Sequence, residues 1–350
     1  MDLSTAQKVA LIGFSLGGLF GAIAAKTNFC TMGAISDWVN MGDKGRMRAW
    51  LTAMAVAILG TQGLVIAGRA DLAGSISLQP NFSWLACLAG GFLFGIGMTL
   101  ASGCGQRSLV RMGTGNLKSL VVVLIMGFTA FTTFKGLLAF LPRDVLWPVQ
   151  IKLADSGIAD QSLAAMLGGG AAVRTTLALF IGLGLLWYAF KDADFRGSRD
   201  NVLAGFSIGL IVTAGWAATA VFGKDEFDPV PVESMSFVLP AGNAVNYLMT
   251  WTGSSINFGI ATVLGMIAGA FAYSLASGTF RFEAFRTCED MGRHVIGAVL
   301  MGVGGILGFG CTIGQGVSGV STLSAGAFLT LAAIIIGSAL TMKVEYHRMK

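Results

Sequence analysis

Apolar residues occur in long, unbroken runs of about 20 residues, separated by short polar segments. A helix needs about 20 apolar residues to cross ~30 Å of hydrocarbon. The strands of a membrane β-barrel would instead alternate apolar and polar positions over ~10 residues. The pattern therefore predicts nine membrane-spanning helices. They are expected near residues 7–25, 49–68, 83–102, 119–141, 173–190, 201–222, 257–277, 293–310 and 323–342.

Two further stretches, 157–172 and 235–252, are partly apolar but too short or too polar to span a membrane. Such segments suit short re-entrant or interfacial helices, which are covered by protein or line a cavity. The segment from Lys224 to Glu233 is acidic and contains proline, so we expect an exposed linker there.

The first apolar run also has features of a secretory signal, since residues 22–25 resemble a cleavage site. Asp2 precedes Lys8, however, which makes a poor positively charged start. We therefore interpret this run as the first spanning helix.

Composition agrees with a membrane protein. Of the 350 residues 54% are hydrophobic and 12% are charged, whereas soluble domains have about 25% charged residues. The net charge of +5 is spread over many short loops, which gives no indication of nucleic acid binding. The five cysteines form no CxxC pair and the chain has two histidines, so we expect no metal site of the zinc type and no cofactor. The predicted fold class is an all-α integral membrane protein.

Lysine and arginine predict the orientation. With nine spans and a cytoplasmic C-terminus, fifteen of them lie in cytoplasmic segments (44–48, 107–118, 191–199, 281–293 and 343–350) and seven lie outside. Cytoplasmic loops carry the excess of positive charge. We therefore expect the N-terminus outside and the C-terminus in the cytoplasm.

Two pairs of matching segments indicate an internal repeat. Residues 13–17 (GFSLG) resemble residues 205–209 (GFSIG), and residues 95–105 resemble residues 302–312, where each run ends in Gly-Cys. The matched helices are five spans apart, an odd number, so the two halves would cross the membrane in opposite senses. Inverted-topology repeats are common in transporters, whose substrate site lies at the repeat interface. The predicted divisions are 1–145 (first half), 146–200 (connecting segment with the fifth span) and 201–350 (second half).

The two Gly-Cys segments are the strongest functional signal. Cys104 lies between Gly103 and Gly105, and Cys311 follows Gly310 and precedes Gly314. Cysteine is often a small buried hydrophobic residue, and glycine-rich helices pack closely, so a structural role is the alternative. Two cysteines at matching repeat positions, each followed by glycine-rich sequence, favour a functional site where the helices break.

The other cysteines differ in context. Cys30 follows a polar run at the end of the first helix, which predicts a third thiol on the same path. Its repeat equivalent would fall near Phe222, which is not a cysteine. Cys87 lies in a plain apolar stretch and is interpreted as packing, while Cys288 lies in a charged loop with no evident role.

All eighteen acidic residues lie outside the cores of the nine predicted spans. A buried carboxylate would usually mark a proton pump, so nothing in the spans predicts a proton relay. Pairs of glycines four residues apart, Gly17/Gly21 and Gly265/Gly269, predict close helix packing.

The chain resembles the YeeE/YedE family of membrane proteins, implicated in the uptake of inorganic sulfur compounds. The resemblance rests on residues 28–34 (NFCTMGA), 91–98 (GFLFGIGM), 102–105 (SGCG), 111–116 (RMGTGN) and 308–314 (GFGCTIG). It implies thiosulfate as the substrate, although some relatives are associated with selenium. It also implies an inner-membrane location among membrane lipid.

The same resemblance implies that Cys30, Cys104 and Cys311 are the pathway cysteines. Asn28 and Arg111 belong to the matching segments and are candidate supporting residues. The resemblance further implies a small cytoplasmic sulfur carrier of the TusA type as a partner.

These observations predict a permease in which a sulfur-containing anion passes along thiols at the repeat interface. A membrane thiol enzyme that transfers sulfur covalently is the alternative from another class, and it requires an activated thiolate beside a basic residue. Arg107, three residues after Cys104, is the sequence feature that keeps it open. A purely structural membrane protein is the third alternative.

Overall fold

The computed structural model describes residues 4–225 and 229–348. Within those ranges, nine helices are long and apolar enough to cross a membrane, as predicted. The α-helices are α1 (Thr5–Thr27), α2 (Thr31–Ser36), α3 (Gly45–Ile66), α4 (Trp84–Leu100), α5 (Gly105–Gly113), α6 (Leu117–Lys135), α7 (Leu163–Met166), α8 (Ala171–Phe190), α9 (Ala193–Gly197), α10 (Arg199–Ala220), α11 (Leu239–Met249), α12 (Phe258–Ala276), α13 (Cys288–Leu307) and α14 (Ala325–Arg348). Strands β1 (Asn81–Phe82) and β2 (Ile151–Lys152) form a small antiparallel pair.

Differences from the predicted elements occur between the spans. Helix α6, the fourth of the membrane-spanning helices, ends at Lys135, whereas the predicted end was residue 141. A π-helical turn follows at Leu141–Leu146. Pro142 stands at the start of that turn, and its ring prevents an α-helix from continuing through it. The stretch 157–172 contains the four-residue α7 and the first two residues of α8, whereas 235–252 contains α11.

The same packing pattern occurs twice among the long helices. Helix α1 packs on α12, and α10 packs on α3. Likewise α13 packs on α6, and α4 packs on α14. The central helices α4 and α13 contact each other, as do α1 and α10. These pairs relate α1, α3, α4 and α6 to α10, α12, α13 and α14 in chain order, which is the relation that the sequence repeat predicts.

Glycine allows the closest of these contacts. A side chain at Gly17 or Gly21 would overlap the backbone of α12 at Thr262 or Met266. A side chain at Gly265 or Gly269 would overlap the backbone of α1 in return. The two small-xxx-small pairs therefore face each other, and the packing role predicted for them is confirmed.

The bundle has two distinct ends. At one, α1 ends near Cys30, and the ion pairs Arg48–Asp192 and Lys118–Asp290 join the surrounding segments. We call this the Cys30 end. The opposite end carries the β1–β2 pair and a cavity described below, and we call it the cavity end.

The linker after α10 differs from its prediction. Lys224, Pro229 and Pro231 are exposed as expected, and residues 226–228 lie outside the described residues. Glu233 is instead partly buried, because the chain turns inward there and continues into the buried, irregular segment 234–238. The predicted exposed linker is therefore wrong at its C-terminal end.

Candidate functional site

Both Gly-Cys segments lie where a long helix breaks. Helix α4 ends at Leu100 and α5 begins at Gly105, and α13 ends at Leu307 before the next π-helical turn at Gly314–Gly319. Ser102 and Phe309, at matching positions, are both left-handed, with φ of 54° and 60°. This conformation costs about 1–3 kcal/mol for a residue other than glycine, and such residues cluster at functional sites.

The two breaks differ by one residue. Gly115 and Leu323, which precede α6 and α14, also both have positive φ, at 98° and 60°. They are 208 positions apart, whereas Ser102 and Phe309 are 207 apart. The π-helical turn Gly314–Gly319 lies between them and holds the extra residue. Such π-bulges are frequently found at functional sites.

The three predicted cysteines share one local geometry. Cys30 is the residue before α2, and its sulfur accepts a hydrogen bond from Gly33 N at 3.3 Å. Cys311 accepts from Gly314 N, also at 3.3 Å. Cys104 is the residue before α5, and its sulfur faces the amide of Arg107. Each sulfur therefore faces the amide three residues later.

Contacts link the segments that carry the three cysteines, and we call Cys30, Cys104 and Cys311 the row of thiols. The thiols of Cys30 and Cys104 are neighbours. Thr312, next to Cys311, lies beside the Cys104 thiol. On its other side, Cys311 faces the amides of Phe237 and Gly314. All three cysteines are buried and free of disulfides.

Basic side chains surround the thiols at the Cys30 end. Arg107 donates to Asn28 Oδ1 at 2.9 Å, and Arg111 donates to the carbonyl of Ser102 at 3.1 Å. Both guanidinium groups are close enough to act electrostatically on Cys30. Arg46, which pairs with Asp37, lies against Gly33 in the same region. Positive charge therefore lies beside Cys30.

A cavity of about 350 Å³ lies at the cavity end, where Ser236 and Gly314 form part of its wall. Because Gly314 contacts Cys311, the cavity approaches the first thiol of the row. Phe309 also lines it, and Trp147 stacks on Phe309 with ring centroids 5.6 Å apart. Glu233 is the charged residue among its described lining residues. Among the three cysteines, Cys311 is therefore the one linked to the cavity, and Cys30 is the one beside the arginines.

The four glycines beside Cys104 and Cys311 differ in the space around them. A Cβ on Gly314 would overlap the Ser236 hydroxyl and lie 3.7 Å from the Cys311 sulfur. At Gly105 and Gly310 the nearest atom to an added Cβ would lie 3.1 Å away, in the flexible side chains of Met126 and Gln315. At Gly103 it would lie 3.3 Å away, in the Arg107 side chain.

The repeat equivalent of Cys30 is not near Phe222, so that prediction is wrong. Cys30 precedes α2, which packs on α3 and α14, and α11 packs on α12 and α6 in the corresponding way. The residue before α11 is Val238. The longer linker after α10 moves the position equivalent to Cys30 further along the chain, from near Phe222 to Val238.

The two remaining cysteines lie away from the row. Cys87 is buried in α4 beside Thr330 and Gly326, in agreement with a packing role. Cys288 is exposed at the start of α13. His294 is buried, and its Nδ1 lies 3.1 Å from the Asp290 carboxylate.

The sequence did not indicate three of the elements next to the thiols. The side-chain oxygen of Gln106 accepts a hydrogen bond from the Cys104 thiol at 3.8 Å, and Thr312 lies beside the same thiol. In the segment 234–238, the backbone amide of Phe237 faces the Cys311 thiol. The Met235 carbonyl in the same segment accepts a hydrogen bond from Ser318 Oγ at 2.8 Å. The sequence signal for Gln106 and Thr312 is their polarity inside glycine-rich apolar segments.

The sequence profile described as sulphur transport matches residues 26–340, nearly the whole chain. The chain belongs to the Sulphur transport family. The predicted resemblance to the YeeE/YedE family is thereby confirmed. Two relatives are thiosulfate transporters named TsuA. The one from Escherichia coli (strain K12) is 24% identical over 347 residues, which cover 93% of this chain and 92% of the relative. The one from Spirochaeta thermophila is 24% identical over 336 residues, which cover 93% of this chain and 96% of the relative.

Membership in the Sulphur transport family decides between two of the classes that the sequence left open. The family and both relatives are described by transport, not by an enzymatic reaction. The nine apolar helices agree with a multi-pass membrane protein. A transport function is therefore favoured over the membrane thiol enzyme.

Proposed function

We propose that this protein carries thiosulfate across the membrane along a path formed by Cys311, Cys104 and Cys30. The family and the names of the two relatives support the substrate. The observation that carries the path is the row of three buried thiols between the cavity and the arginines. The division into repeat halves 1–145 and 201–350 belongs to the same proposal, since the row lies where the two halves meet.

Thiols suit a soft sulfur anion that must bind and leave again. The thiol is polarizable and a weak hydrogen-bond donor, so the terminal sulfur of thiosulfate can exchange from one thiol to the next. Conduction requires that the anion bind strongly enough to enter the path and weakly enough to leave it. A thiolate would repel the dianion, and the thiols therefore act in their protonated form.

The direction of transport follows from the orientation. In the proposed inner membrane, the N-terminus and the cavity end face outward, and the Cys30 end faces the cytoplasm. Moving a dianion inward against a negative interior costs about 4.6 kcal/mol per 100 mV, twice the cost of one charge. Consumption of thiosulfate inside would drive this facilitated uptake. A TusA-like carrier that receives sulfur at the Cys30 end fits this arrangement, and the membrane lipid surrounds the apolar bundle.

The decisive experiment measures uptake of sulfur-labelled thiosulfate in cells that lack other sulfur importers, with sulfate and selenite as competitors. We expect Cys104→Ser and Cys311→Ser to abolish uptake at normal membrane abundance. Cys87→Ser and Cys288→Ser are matched controls, because these cysteines lie outside the row. Uptake that persists in both path variants would contradict the proposal, and stronger competition by selenite than by unlabelled thiosulfate would reassign the substrate.

One observation supports a second candidate function. Arg107 and Arg111 lie near Cys30, and basic neighbours are typical of activated cysteines that carry sulfur covalently. Intact mass after exposure to thiosulfate separates the two functions. Transport predicts an unchanged mass, whereas a persistent sulfur adduct, removed by a reductant and absent in Cys30→Ser, would favour the thiol enzyme.

A further inference from the structure

Hydrogen-bond donors without partners lie beside the row of thiols. Thr312 is fully buried, and its hydroxyl has no oxygen or nitrogen partner, with the Cys104 thiol as its neighbour. Gln106 is also fully buried, and its amide nitrogen, Nε2, has no partner. A buried polar group left unpaired is costly, and such groups are rare in folded proteins.

These donors converge on one thiol from the two repeat halves. Gln106 lies in α5, and its side-chain carbonyl faces the Cys104 sulfur at 3.8 Å. Thr312 comes from the second Gly-Cys segment and lies beside the same sulfur. Because the Gln106 carbonyl is directed at Cys104, its two N–H groups remain available close to that thiol.

Thr312 lies outside the regular helices, in the break after α13. Several buried threonines inside the long helices donate to the carbonyl three or four residues earlier, as Thr133 does to Thr129 at 2.7 Å, whereas the buried hydroxyls of Thr61 and Thr330 have no such partner. Thr31, the first residue of α2 and directly after Cys30, also has a buried and unpartnered hydroxyl.

We propose that Thr312 and Gln106 bind the oxygen atoms of the sulfur anion while Cys104 contacts its terminal sulfur. This assignment rests on the proposed function, and it makes the two residues specificity determinants of the path. Thiosulfate has one soft sulfur and a sulfonate-like group of three oxygens. A weak thiol donor suits the sulfur, whereas hydroxyl and amide donors suit the oxygens. The site around Cys104 supplies both types of donor.

The test compares variants that remove a donor but keep the shape of the side chain. Thr312→Val replaces the hydroxyl by a methyl group, and Gln106→Glu keeps the acceptor oxygen but removes the amide donors. Hydrogen bonds to a charged group contribute about 1.5–3 kcal/mol, so each variant should raise the KM for thiosulfate at least about tenfold. Thr312→Ser retains the hydroxyl and should restore a KM near that of the wild-type protein.

Thr133→Val is the matched control, since the Thr133 hydroxyl is buried and already paired within its helix. Abundance and size-exclusion profile in detergent identify variants that do not fold. An unchanged KM in both Thr312→Val and Gln106→Glu would overturn the assignment, as would a Thr312→Ser variant as impaired as Thr312→Val. A wild-type protein that takes up no thiosulfate would instead overturn the proposed function, and with it this inference.

Discussion

The thiols of Cys30 and Cys104 are neighbours, although each belongs to a different helix start. Cys30 precedes α2 and Cys104 precedes α5, so the row of thiols depends on how these two segments meet. The Arg107 side chain, bonded to Asn28 at 2.9 Å, ties the same two segments together. This contact fixes the inner part of the proposed path.

The contact makes a chemical prediction. A mild oxidant should join Cys30 and Cys104 in a disulfide, because the two sulfurs already face each other. In purified Cys288→Ser protein, which lacks the exposed thiol, the intact mass should fall by two hydrogens and uptake after reconstitution should be blocked. A reductant should restore both mass and uptake. Oxidation that leaves the mass unchanged in this background, or that lowers it equally in Cys30→Ser, would contradict the contact.

Arg107 is expected to concentrate the anion beside Cys30. Arg107→Gln retains a hydrogen-bond donor for Asn28 but removes the charge near Cys30 and Cys104. A partly screened charge interaction contributes about 1 kcal/mol or more, so the initial uptake rate at low substrate should fall several-fold. Arg199→Gln, exposed at the start of α10, is the control. Equal rates for the two variants would exclude a specific role of Arg107.

Close helix packing predicts a sharp difference between two adjacent glycines. A Cβ at Gly17 would overlap the α12 backbone at Thr262, whereas at Gly18 it would lie 3.6 Å from the nearest atom, an ordinary contact. Overpacking a tight contact typically costs about 1–3 kcal/mol. Gly17→Ala should therefore lower the midpoint of thermal unfolding in detergent by several degrees, and Gly18→Ala should leave it unchanged. Similar midpoints for the two variants would show that α1 and α12 do not pack this closely.

Much of this fold could be predicted from the sequence because membrane helices have a strong signal. Continuous apolar length identified the nine spans, and the paired Gly-Cys segments correctly predicted breaks of the helices at Cys104 and Cys311. The signal fails where the chain leaves the regular helix. Glu233 belongs to an acidic, proline-containing segment that resembles a surface loop, but tertiary packing draws its end inward.

The donors of the site carry only a weak sequence signal, which is their polarity within glycine-rich apolar segments. Thr312 becomes informative when its hydroxyl is seen to be buried beside Cys104 without an oxygen or nitrogen partner. In the same way, Gln106 gains meaning from the direction of its carbonyl toward Cys104. These properties depend on how α5 and the segment after α13 are placed relative to each other, which the linear pattern does not specify.

Glu233 predicts how uptake depends on pH. It lies between α10 and α11, outside the nine spans, and burial raises the pKa of its carboxyl group to about 7. The Gly259 amide faces this carboxyl group. The Thr219 hydroxyl donates a hydrogen bond to the Glu233 carbonyl and accepts one from the Glu233 amide. The cavity that it lines contains no other charged residue among those described. The carboxyl group is therefore neutral below about pH 7 and ionised above it.

A carboxylate in the cavity would repel a dianion on its way to Cys311. Uptake into proteoliposomes should thus decline as the pH on the cavity side rises from about 6 to 8, with a midpoint near 7. Glu233→Gln cannot ionise and should keep the rate of the low-pH protein across this range. Glu289→Gln, exposed in the first turn of α13, should retain the wild-type pH profile. A decline that persists in Glu233→Gln would assign the pH dependence to another group, and a wild-type rate that rises with pH would contradict the sign of the effect.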